Sequence, residues 1–301
     1  MYDTIIIGAG ISGLTAAMYA SRKKMKFEII SSDFGGQFMV SGEVLNYPGI
    51  VKTTGAEFSS TMEEQMKFND VNVKTETVTG IERIKDNFKI RTDKSEYETR
   101  SIILATGARA RKLGVPGEEE FAKKGLTYCS ICDGPLFAGK EVAVIGGGDA
   151  ALEAVDFLKE IVSKMYVLVR DDKFTGHEYL IERVNKNDKV EVIFNADTTE
   201  ILGDKFVTGM KYRQGDEEKQ LGVQGVIIEI GRVPNTDAFK DIVKLDSHGH
   251  IDIDCQSHTS TPGIFAAGDC ASGHEYQYVI AAGQGCMALI KAARYLTTKK
   301  D

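Results

Sequence analysis

The chain has 301 residues, of which 42% are hydrophobic and 27% are charged, and its formal net charge is −7 at pH 7. This length fits one large or two medium domains, and the acidic balance argues against a nucleic-acid-binding protein, which normally presents a basic face. No run reaches the ~18–20 apolar residues that cross a bilayer, and the apolar run near the N-terminus lacks the positive charges of a signal peptide. We therefore expect a cytoplasmic protein.

The first predicted element is a strand, a glycine turn and an alanine-rich helix over residues 3–20. Gly8, Gly10 and Gly13 fit the pattern G-x-G-x-x-G. The first glycine makes the tight turn, the second lets the backbone approach a pyrophosphate, and the third lets helix and strand pack closely. The phosphate then lies at the helix N-terminus, where free N–H groups attract an anion. Asp33 follows at the ~20-residue spacing of a ribose-binding acid, so this unit predicts a dinucleotide site.

Alternating stretches over residues 71–84 and 87–100 predict an antiparallel meander. An apolar strand that ends in glycine follows at residues 101–108.

Two cysteines at C-x-x-C spacing come next, Cys129 and Cys132, followed directly by Asp133. Thiols at this spacing can close a small ring reversibly, and one of them often has a pKa near ~7. The carboxylate of Asp133 is placed to donate or accept a proton during exchange. The rival interpretation is half of a zinc site, which needs two more ligands in a similar pair. The chain offers none, so we expect no metal, and we interpret Cys255, Cys270 and Cys286 as structural or incidental thiols.

The same strand–turn–helix unit recurs at residues 141–158. Gly146, Gly148 and Ala151 fit G-x-G-x-x-A, an accepted variant of the dinucleotide pattern. Asp171 lies ~20 residues further on, where an acid binds the 2′-hydroxyl of NAD, and Arg170 beside it suits the 2′-phosphate of NADP. The choice between NADH and NADPH therefore stays open.

The second unit has its own later apolar strand, at residues 225–232, and a final helix is predicted from about Tyr276 to Tyr295. The repeat predicts an α/β fold with two Rossmann-like, three-layer βαβ domains, one inserted in the other, and small antiparallel meanders. We expect an FAD-binding domain of residues 1–112 plus 246–301. The inserted domain, residues 113–245, would bind the pyridine nucleotide and carry the C-x-x-C pair.

The whole chain resembles the low-molecular-weight thioredoxin reductases, which are FAD-dependent pyridine nucleotide-disulfide oxidoreductases. The motifs that carry the resemblance occur in that family's order: Gly35-Gly36-Gln37, Asn46-Tyr47-Pro48-Gly49, Ala105-Thr106-Gly107, Cys129-x-x-Cys132-Asp133-Gly134, Gly146–Ala151, Pro234-Asn235-Thr236, Gly268-Asp269 and Gly285-Cys286-Met287-Ala288. The run Cys132-Asp133-Gly134-Pro135-Leu136-Phe137 is also similar to the reductase portion of alkyl hydroperoxide reductase flavoproteins.

The resemblance implies two nucleotide sites. The FAD site would comprise Gly8, Gly10, Ile11, Ser12, Gly13, Ser32, Asp33, Gly36, Gln37, Asn46, Val78, Ala105, Thr106, Gly107, Gly268, Asp269, Tyr276 and Gln277. Tyr276 stands where the family has arginine, and it either stacks on a ring or fills core space. The nicotinamide nucleotide site would comprise Gly146, Gly148, Asp149, Ala150, Ala151, Arg170, Asp171, Gly231 and Arg232.

The resemblance also implies the chemistry. Cys132 would be the thiol nearer the flavin, Cys129 the thiol that attacks the substrate disulfide, and Asp133 the acid–base. The activity expected is thioredoxin-disulfide reduction, with a thioredoxin-like partner, a homodimer and rotation of the inserted domain.

One departure from the family leaves the electron donor open. Members that bind NADPH usually show H-R-R-x-x-x-R after the second strand, whereas this chain has Asp171 and Thr175 in place of two of the arginines. A carboxylate facing a 2′-phosphate is repulsive. NADH, ferredoxin or a deazaflavin are therefore the alternative donors, and a peroxiredoxin-type protein is the alternative acceptor.

Overall fold

The computed structural model describes residues 1–40, 43–273 and 276–298. The chain divides into two compact units: Met1–Arg109 together with the chain from Val233 onward, and Ala110–Arg232. The predicted return to the outer domain lies near residue 245, and this division returns to the first unit at Val233. Phe239 and Val243 are buried in the same cluster as Ile5 and Ile251, which assigns residues 233–245 to the first unit. The short sequence of this segment has no periodic pattern that would indicate such packing.

The first unit contains most of its elements before residue 105. In chain order these are β1 (Thr4–Ile7), α1 (Ile11–Arg22), β2 (Phe27–Ser31), β3 (Glu43–Val44), β4 (Thr53–Thr54), α2 (Gly55–Phe68), β5 (Val73–Thr75), β6 (Val78–Ile84), β7 (Asn87–Thr92), β8 (Glu96–Thr99) and β9 (Ile102–Leu104). The chain leaves this unit along β10 (Ala108–Ala110).

The second unit contains β11 (Leu126–Thr127), α3 (Ser130–Asp133), β12 (Glu141–Ile145), α4 (Asp149–Leu158), β13 (Lys164–Val169), α5 (Glu178–Asn185), β14 (Val190–Phe194), β15 (Ala196–Gly203), β16 (Val207–Gln214), β17 (Glu217–Leu221) and β18 (Gly225–Ile228). The chain returns along β19 (Arg232–Pro234) and completes the first unit with β20 (Ile264–Ala266) and α6 (Tyr278–Thr298). Short 3₁₀ turns at Gly36–Val40, Gly134–Phe137 and Asp237–Phe239 join these elements.

Each unit is built on a five-stranded parallel sheet with an antiparallel meander beside it. The first sheet has the order β20-β9-β1-β2-β5 and its meander is β6-β7-β8. The second sheet has the order β11-β18-β12-β13-β14 and its meander is β15-β16-β17. The predicted α/β class with two Rossmann-like domains and small meanders is confirmed.

The three layers of the first unit follow from the period of its central strand. Successive side chains of a strand point to opposite faces. Ile6 packs in a cluster with Leu14 of α1 and Leu289 of α6. Its neighbours Ile5 and Ile7 pack on the other face, in the cluster that contains Phe88 and Ile90 of the meander. Because both faces are covered, the three residues Ile5, Ile6 and Ile7 of β1 are all apolar.

The second unit repeats this arrangement with different side chains. Val142 and Val144 of β12 pack with Leu152 and Val155 of α4. Ala143 and Ile145 point to the other face and pack with the meander. In both units the glycine turn follows the central strand and therefore lies at the carboxyl edge of a parallel sheet. Open α/β sheets bind ligands at this edge.

Among the helices within residues 1–40, 43–273 and 276–298, none combines the length and the apolar character needed to cross a membrane.

Candidate functional site

The first glycine turn is shaped by three glycines with different tasks. Gly8 has φ +107°, and a Cβ there would lie 2.2 Å from the carbonyl oxygen of Ala105. A Cβ at Gly13 would lie 1.8 Å from the carbonyl oxygen of Gly8. Both positions therefore exclude a side chain because backbone packs against them. Gly10 differs, since nothing lies within 4 Å of its Cβ position, and this is where a ligand can approach the backbone.

The start of α1 is suited to an anion. Gly10 is the N-cap residue, no side chain caps the helix, and the first turn contains no acidic residue. The free N–H groups of this turn are therefore available to a phosphate.

A cavity of about 450 Å³ opens beside this turn, within the first unit. Its lining includes most of the residues predicted for the FAD site: Gly8, Gly10, Ile11, Ser12, Ser32, Asp33, Gly36, Gln37, Val78, Ala105, Thr106, Gly107 and Asp269. These come from distant parts of the sequence, and the carboxyl ends of β1, β2 and β9 bring them together.

The other predicted FAD residues lie outside this lining. Gly13 packs beneath the turn, and Gly268 and Tyr276 line a neighbouring cavity of about 110 Å³ together with Asp269. Asn46 donates a hydrogen bond from Nδ2 to Oε1 of Gln277, at 3.2 Å, so those two exposed side chains are paired. The hydroxyl of the half-buried Tyr276 lies 2.8 Å from Nε2 of His250.

The cavity also contains polar residues that sequence reasoning missed. Asn235 donates from Nδ2 to the carbonyl oxygen of Thr106 at 2.9 Å, and its Oδ1 accepts from Arg109 at 2.9 Å. Asn235 stands in the Pro-Asn-Thr motif, which was the available signal. The buried carboxylate of Glu76 accepts from the hydroxyls of Thr92 and Tyr97, and these bonds lower the pKa of Glu76. Glu76 lies in an alternating strand pattern that gave no hint of this position.

The second glycine turn repeats the backbone design with different neighbours. Gly146 has φ +142°, and a Cβ there would lie 2.2 Å from the carbonyl oxygen of Glu229. Gly148 is the N-cap of α4, no side chain caps this helix, and the nearest atom to its Cβ position is Oγ1 of Thr175 at 3.7 Å. Ala151 is buried beneath the turn, whereas Ala150 is exposed.

Acidic side chains surround this second turn. Asp149 lies in the first turn of α4, where its Oδ1 accepts a 2.6 Å hydrogen bond from the backbone N–H of His177. Burial raises the pKa of Glu153, and the charge of Asp149 raises it further. Asp149 thus places a carboxylate in the first turn of α4, whereas the first turn of α1 has none.

The segment after β13 contains Arg170 and Asp171, the two residues predicted to set the choice between NADH and NADPH. Arg170 Nε lies 3.6 Å from Oδ1 of Asp171, and both side chains are exposed. Gly231 has φ +94°, and its carbonyl oxygen accepts from the backbone N–H of Arg111 at 2.9 Å. Arg232 follows as a half-buried residue.

The cysteine pair forms a disulfide at the start of α3. The sulfur atoms of Cys129 and Cys132 are bonded, and the Cα atoms are 5.4 Å apart. The backbone N–H of Cys132 donates to Sγ of Cys129 at 3.2 Å. The hydroxyl of Thr127 donates to Oδ2 of Asp133 at 2.5 Å, and its Oγ1 accepts from the backbone N–H of Cys129 at 3.1 Å. The side chain of Thr127 thus connects the carboxylate of Asp133 to the backbone of Cys129.

The remaining thiols are spread through the first unit. Cys270 is fully buried, and burial raises its pKa, which keeps it a neutral thiol. Cys255 is exposed and Cys286 is partly buried.

One further titratable group in the second unit escaped the sequence analysis. Glu229 directly follows β18, and burial raises the pKa of its carboxyl to about 7. The available signal was an acid inside an otherwise apolar strand pattern.

Comparisons with known proteins place the chain in a family. The model of the family described as pyridine nucleotide-disulphide oxidoreductase matches residues 2–292. The chain belongs to this family. Among solved structures, it is similar to the thioredoxin reductase of Lactococcus lactis, with a TM-score of 0.91, 36% identity, and coverage of 99% of this chain and 100% of that one. The resemblance to low-molecular-weight thioredoxin reductases is confirmed at the level of fold and sequence.

Longer relatives also match. An NADH dehydrogenase of Ferdinandcohnia aciditolerans is 40% identical over 98% of this chain and 57% of its own length. A Staphylococcus aureus protein that is named as a component of alkyl hydroperoxide reductase is 37% identical over 98% of this chain and 59% of its own length. The chain therefore spans less than two thirds of these curated relatives.

Membership of this pyridine nucleotide-disulphide oxidoreductase family implies FAD and a nicotinamide nucleotide as cofactors, with the choice between NADH and NADPH open. The first unit fits FAD, because Gly10 has open space, the N-terminus of α1 is uncapped, and the cavity extends beside both.

Proposed function

We propose that this chain is a flavin-dependent disulfide reductase of the thioredoxin reductase type. Electrons would pass from a nicotinamide nucleotide through FAD to the Cys129–Cys132 disulfide, and then to a protein disulfide of a thioredoxin or a similar partner. The observation that carries the proposal is the disulfide of the second unit, with Asp133 hydrogen-bonded beside it. FAD supplies two-electron chemistry when bound, and the protein supplies its position.

The residues of the first unit would hold FAD. Gly8, Gly10 and Gly13 would shape the pyrophosphate site, and Asp33 would accept hydrogen bonds from a ribose. Thr106 and Asn235 are already tied together by hydrogen bonds, so they form a rigid part of the cavity wall. Asn46, Gln277 and Tyr276 would lie towards the flavin ring.

The reaction of the reduced pair can be written with atoms and electrons balanced. The Cys129 thiolate attacks one sulfur of the partner disulfide, that bond breaks, and a mixed disulfide forms. Cys132 then attacks Cys129, which releases the second partner thiol. The partner disulfide is reduced to two thiols and the Cys129–Cys132 disulfide is restored. Asp133, oriented by Thr127, would take the proton from Cys132 and deliver it to the departing thiolate.

Apolar side chains beside the pair favour a protein as the acceptor. Leu136 is 68% exposed and Ile131 is 39% exposed. Exposed apolar groups next to a reactive centre are typical of a docking surface. A Leu136→Ser variant should turn over the protein disulfide more slowly and leave reduction of a small aromatic disulfide unchanged. Equal loss with both acceptors would mean that Leu136 supports the loop rather than the partner.

We favour NADH as the donor. Asp171 stands where an acid binds the 2′-hydroxyl of NAD, and Arg170 is already paired with it. The name of the relative from Ferdinandcohnia aciditolerans, an NADH dehydrogenase, is consistent with this choice.

A peroxidase partner is the second candidate acceptor. The relative from Staphylococcus aureus is a component of alkyl hydroperoxide reductase, and the run from Cys132 to Phe137 is similar to that group. We also propose a homodimer in the cytoplasm, where disulfides in proteins are usually catalytic.

The test is anaerobic stopped-flow reduction of the purified holoprotein, with NADH and NADPH in parallel, followed by addition of an oxidised thioredoxin or peroxiredoxin. We expect fast bleaching of the flavin with NADH and reoxidation by the protein disulfide. A Cys132→Ser variant should still bleach but should lose turnover. Bleaching with neither nucleotide would redirect the search to ferredoxin or a deazaflavin, and full turnover by Cys132→Ser would overturn the proposal.

A further inference from the structure

A buried carboxylate of the second unit is hydrogen-bonded to the residue before Cys129, and the mechanism above does not use it. Glu118 is only 1% exposed, which is rare for an acidic residue unless its oxygens are satisfied. Its Oε2 accepts a hydrogen bond from the backbone N–H of Gly114 at 2.6 Å. Its Oε1 accepts from the backbone N–H of Leu113 at 2.8 Å and from the hydroxyl of Tyr128 at 2.7 Å. The carboxylate therefore joins two segments of the second unit.

The segment that carries Glu118 is itself held in place. Gly117 has φ +82°, and a Cβ there would lie 2.1 Å from the carbonyl oxygen of Ile201 in β15. The backbone N–H of Ile201 donates to the carbonyl oxygen of Pro116 at 2.9 Å. Residues 116–117 are thus packed against the meander, and the side chain of Glu118 extends from a fixed backbone.

The chain that enters Cys129 has little support from the sheet. β11 consists of two residues and is an edge strand of the second sheet. Its pairing with β18 ends at Thr127, and Tyr128 follows directly before Cys129. Side chains must therefore supply much of what holds the backbone at this point.

Two side chains do so, and each has its own anchor. The hydroxyl of Thr127 is bonded to Asp133 within the cysteine loop. The ring of the half-buried Tyr128 packs on the core cluster that contains Phe121, and its hydroxyl reaches Glu118 outside the loop. Burial raises the pKa of Tyr128 and the hydrogen bond to Glu118 raises it further, so the hydroxyl keeps its proton and remains a donor.

We propose that Glu118 and Tyr128 are positioning residues for the redox pair: the buried carboxylate fixes the Tyr128 hydroxyl, and thereby the backbone that enters Cys129, so that the two thiols stay close enough to re-form the disulfide. The proposal rests on the proposed function, in which this pair is redox-active. Both residues would act through the backbone and not on the sulfur atoms themselves.

Loss of this anchor has one expected direction. A fixed backbone raises the effective concentration of one thiol at the other, and this stabilises the disulfide relative to the two thiols. A loop released from Glu118 gives the thiols more freedom, so the disulfide becomes easier to reduce. The reduction potential of the pair should therefore become less negative.

The experiment compares the full-length holoprotein with Tyr128→Phe, which keeps the ring and removes the hydroxyl. Each protein is equilibrated anaerobically, at one neutral pH, with mixtures of reduced and oxidised dithiothreitol. A dithiothreitol thiolate attacks one sulfur, the Cys129–Cys132 bond breaks, and the second dithiothreitol thiolate then closes its own ring. One protein disulfide is reduced to two thiols, and one dithiothreitol is oxidised. Acid quenching, maleimide labelling and peptide mass spectrometry give the reduced fraction of the pair.

We expect the equilibrium constant for reduction of the pair to rise about 10-fold in Tyr128→Phe, which corresponds to about 30 mV. Tyr166→Phe is the matched control. The hydroxyl of Tyr166 donates to Oε2 of Glu141 at 3.1 Å, and its ring packs on the same core cluster. It lies on β13, which two strands separate from β11. Both variants should lower the midpoint of urea denaturation similarly, and only Tyr128→Phe should shift the equilibrium.

Glu118→Gln tests the other partner of the bond. The amide replaces one of the two acceptor oxygens with a donor, so the three donors can no longer all be satisfied. The equilibrium should shift in the same direction as in Tyr128→Phe. Tyr128→Phe should add little in the Glu118→Gln background, because the same contact is already lost.

An unchanged equilibrium in Tyr128→Phe, or a shift towards the disulfide, overturns the proposal. Equal shifts in Tyr128→Phe and Tyr166→Phe also overturn it, because they would indicate a general loosening of the unit. If Glu118→Gln does not fold, Tyr128→Phe and its control decide alone. The assay needs no nicotinamide donor and no protein partner. Absence of turnover in the stopped-flow test would therefore overturn the proposed function while leaving a clear outcome here.

Discussion

The two glycine turns have nearly the same sequence pattern and different surroundings. Each places a glycine N-cap without a side-chain capping bond at the start of a helix. The first glycine turn leads into a helix, α1, whose first turn has no acidic residue. This glycine turn lies beside a cavity of about 450 Å³. The second glycine turn leads into α4, whose first turn contains Asp149. The backbone carbonyl of Glu229 packs against Gly146 of this glycine turn. We infer that the pattern provides the backbone for a phosphate, while the neighbours set how tightly a nucleotide is held.

The largest difference in stability between the two units is expected at the third small residue of the glycine pattern, which is Gly13 in the first unit and Ala151 in the second. A Cβ at Gly13 would lie 1.8 Å from a carbonyl oxygen, whereas Ala151 already fills the corresponding place in the second unit. Gly13→Ala should therefore lower the free energy of unfolding by about 3–5 kcal/mol, and Ala151→Gly by about 1 kcal/mol. Urea denaturation followed by far-UV circular dichroism gives both values. Equal losses would mean that the two helices pack on their strands in the same way.

Substitutions at the second glycine of each pattern, Gly10 and Gly148, should affect ligand binding and not the packing of the protein. Gly10 has nothing within 4 Å of its Cβ position, and Gly148 has its nearest neighbour at 3.7 Å, so a Cβ atom fits either place without a clash with protein. Gly10→Val should weaken FAD binding by at least about 100-fold, or about 2.8 kcal/mol, and leave the chain folded. Gly148→Val should keep its flavin and lose reduction by the nicotinamide donor.

Flavin absorbance after gel filtration, and stopped-flow bleaching, measure these two effects. The assignment of one nucleotide to each unit would be wrong if Gly148→Val released the flavin.

Asp171 tests the choice of donor. Asp171→Ser removes the acceptor for a 2′-hydroxyl and frees Arg170 from its 3.6 Å ion pair. The ratio of kcat/KM for NADH to that for NADPH should fall about 10-fold. Asp172→Ser is the control, because Asp172 is an exposed neighbour with the same charge. A similar fall in both variants would indicate a general charge effect instead of a specific contact.

The last effect is spread over a pH range and concerns the stability of the acidic second unit. The pKa of Glu229 is raised from 4.5 to about 7, so the folded chain binds the proton more tightly than the unfolded chain does. Its contribution to stability is complete below pH 4.5 and is lost as pH rises to about 7. Relative to Glu229→Gln, the wild-type free energy of unfolding should fall by up to about 1.4 kcal/mol per pH unit in that window.

Denaturation at several pH values measures this slope. Glu160→Gln, which removes an exposed carboxylate of the same unit, serves as the control and should show the wild-type slope. A wild-type slope in Glu229→Gln would mean that another group titrates.

The sequence by itself determined the class of fold and the reactive groups. Glycine spacing, the two apolar strands and the C-x-x-C-D run depend on local backbone geometry, and local geometry is set by consecutive residues. The same local signals predicted the residues of the first turn and the cysteine pair.

Only the tertiary structure decided which distant residues share a site. Asn235 and Glu76 reach the first cavity because β sheets bring separate strands to one edge, and Phe239 assigns its segment to the first unit through burial. The backbone of Glu229 packs against Gly146 because β18 lies beside β12 in the second sheet, an order that sequence distance does not reveal. Burial, which raises the pKa of Glu229, likewise depends on the packed neighbours and not on the residue itself.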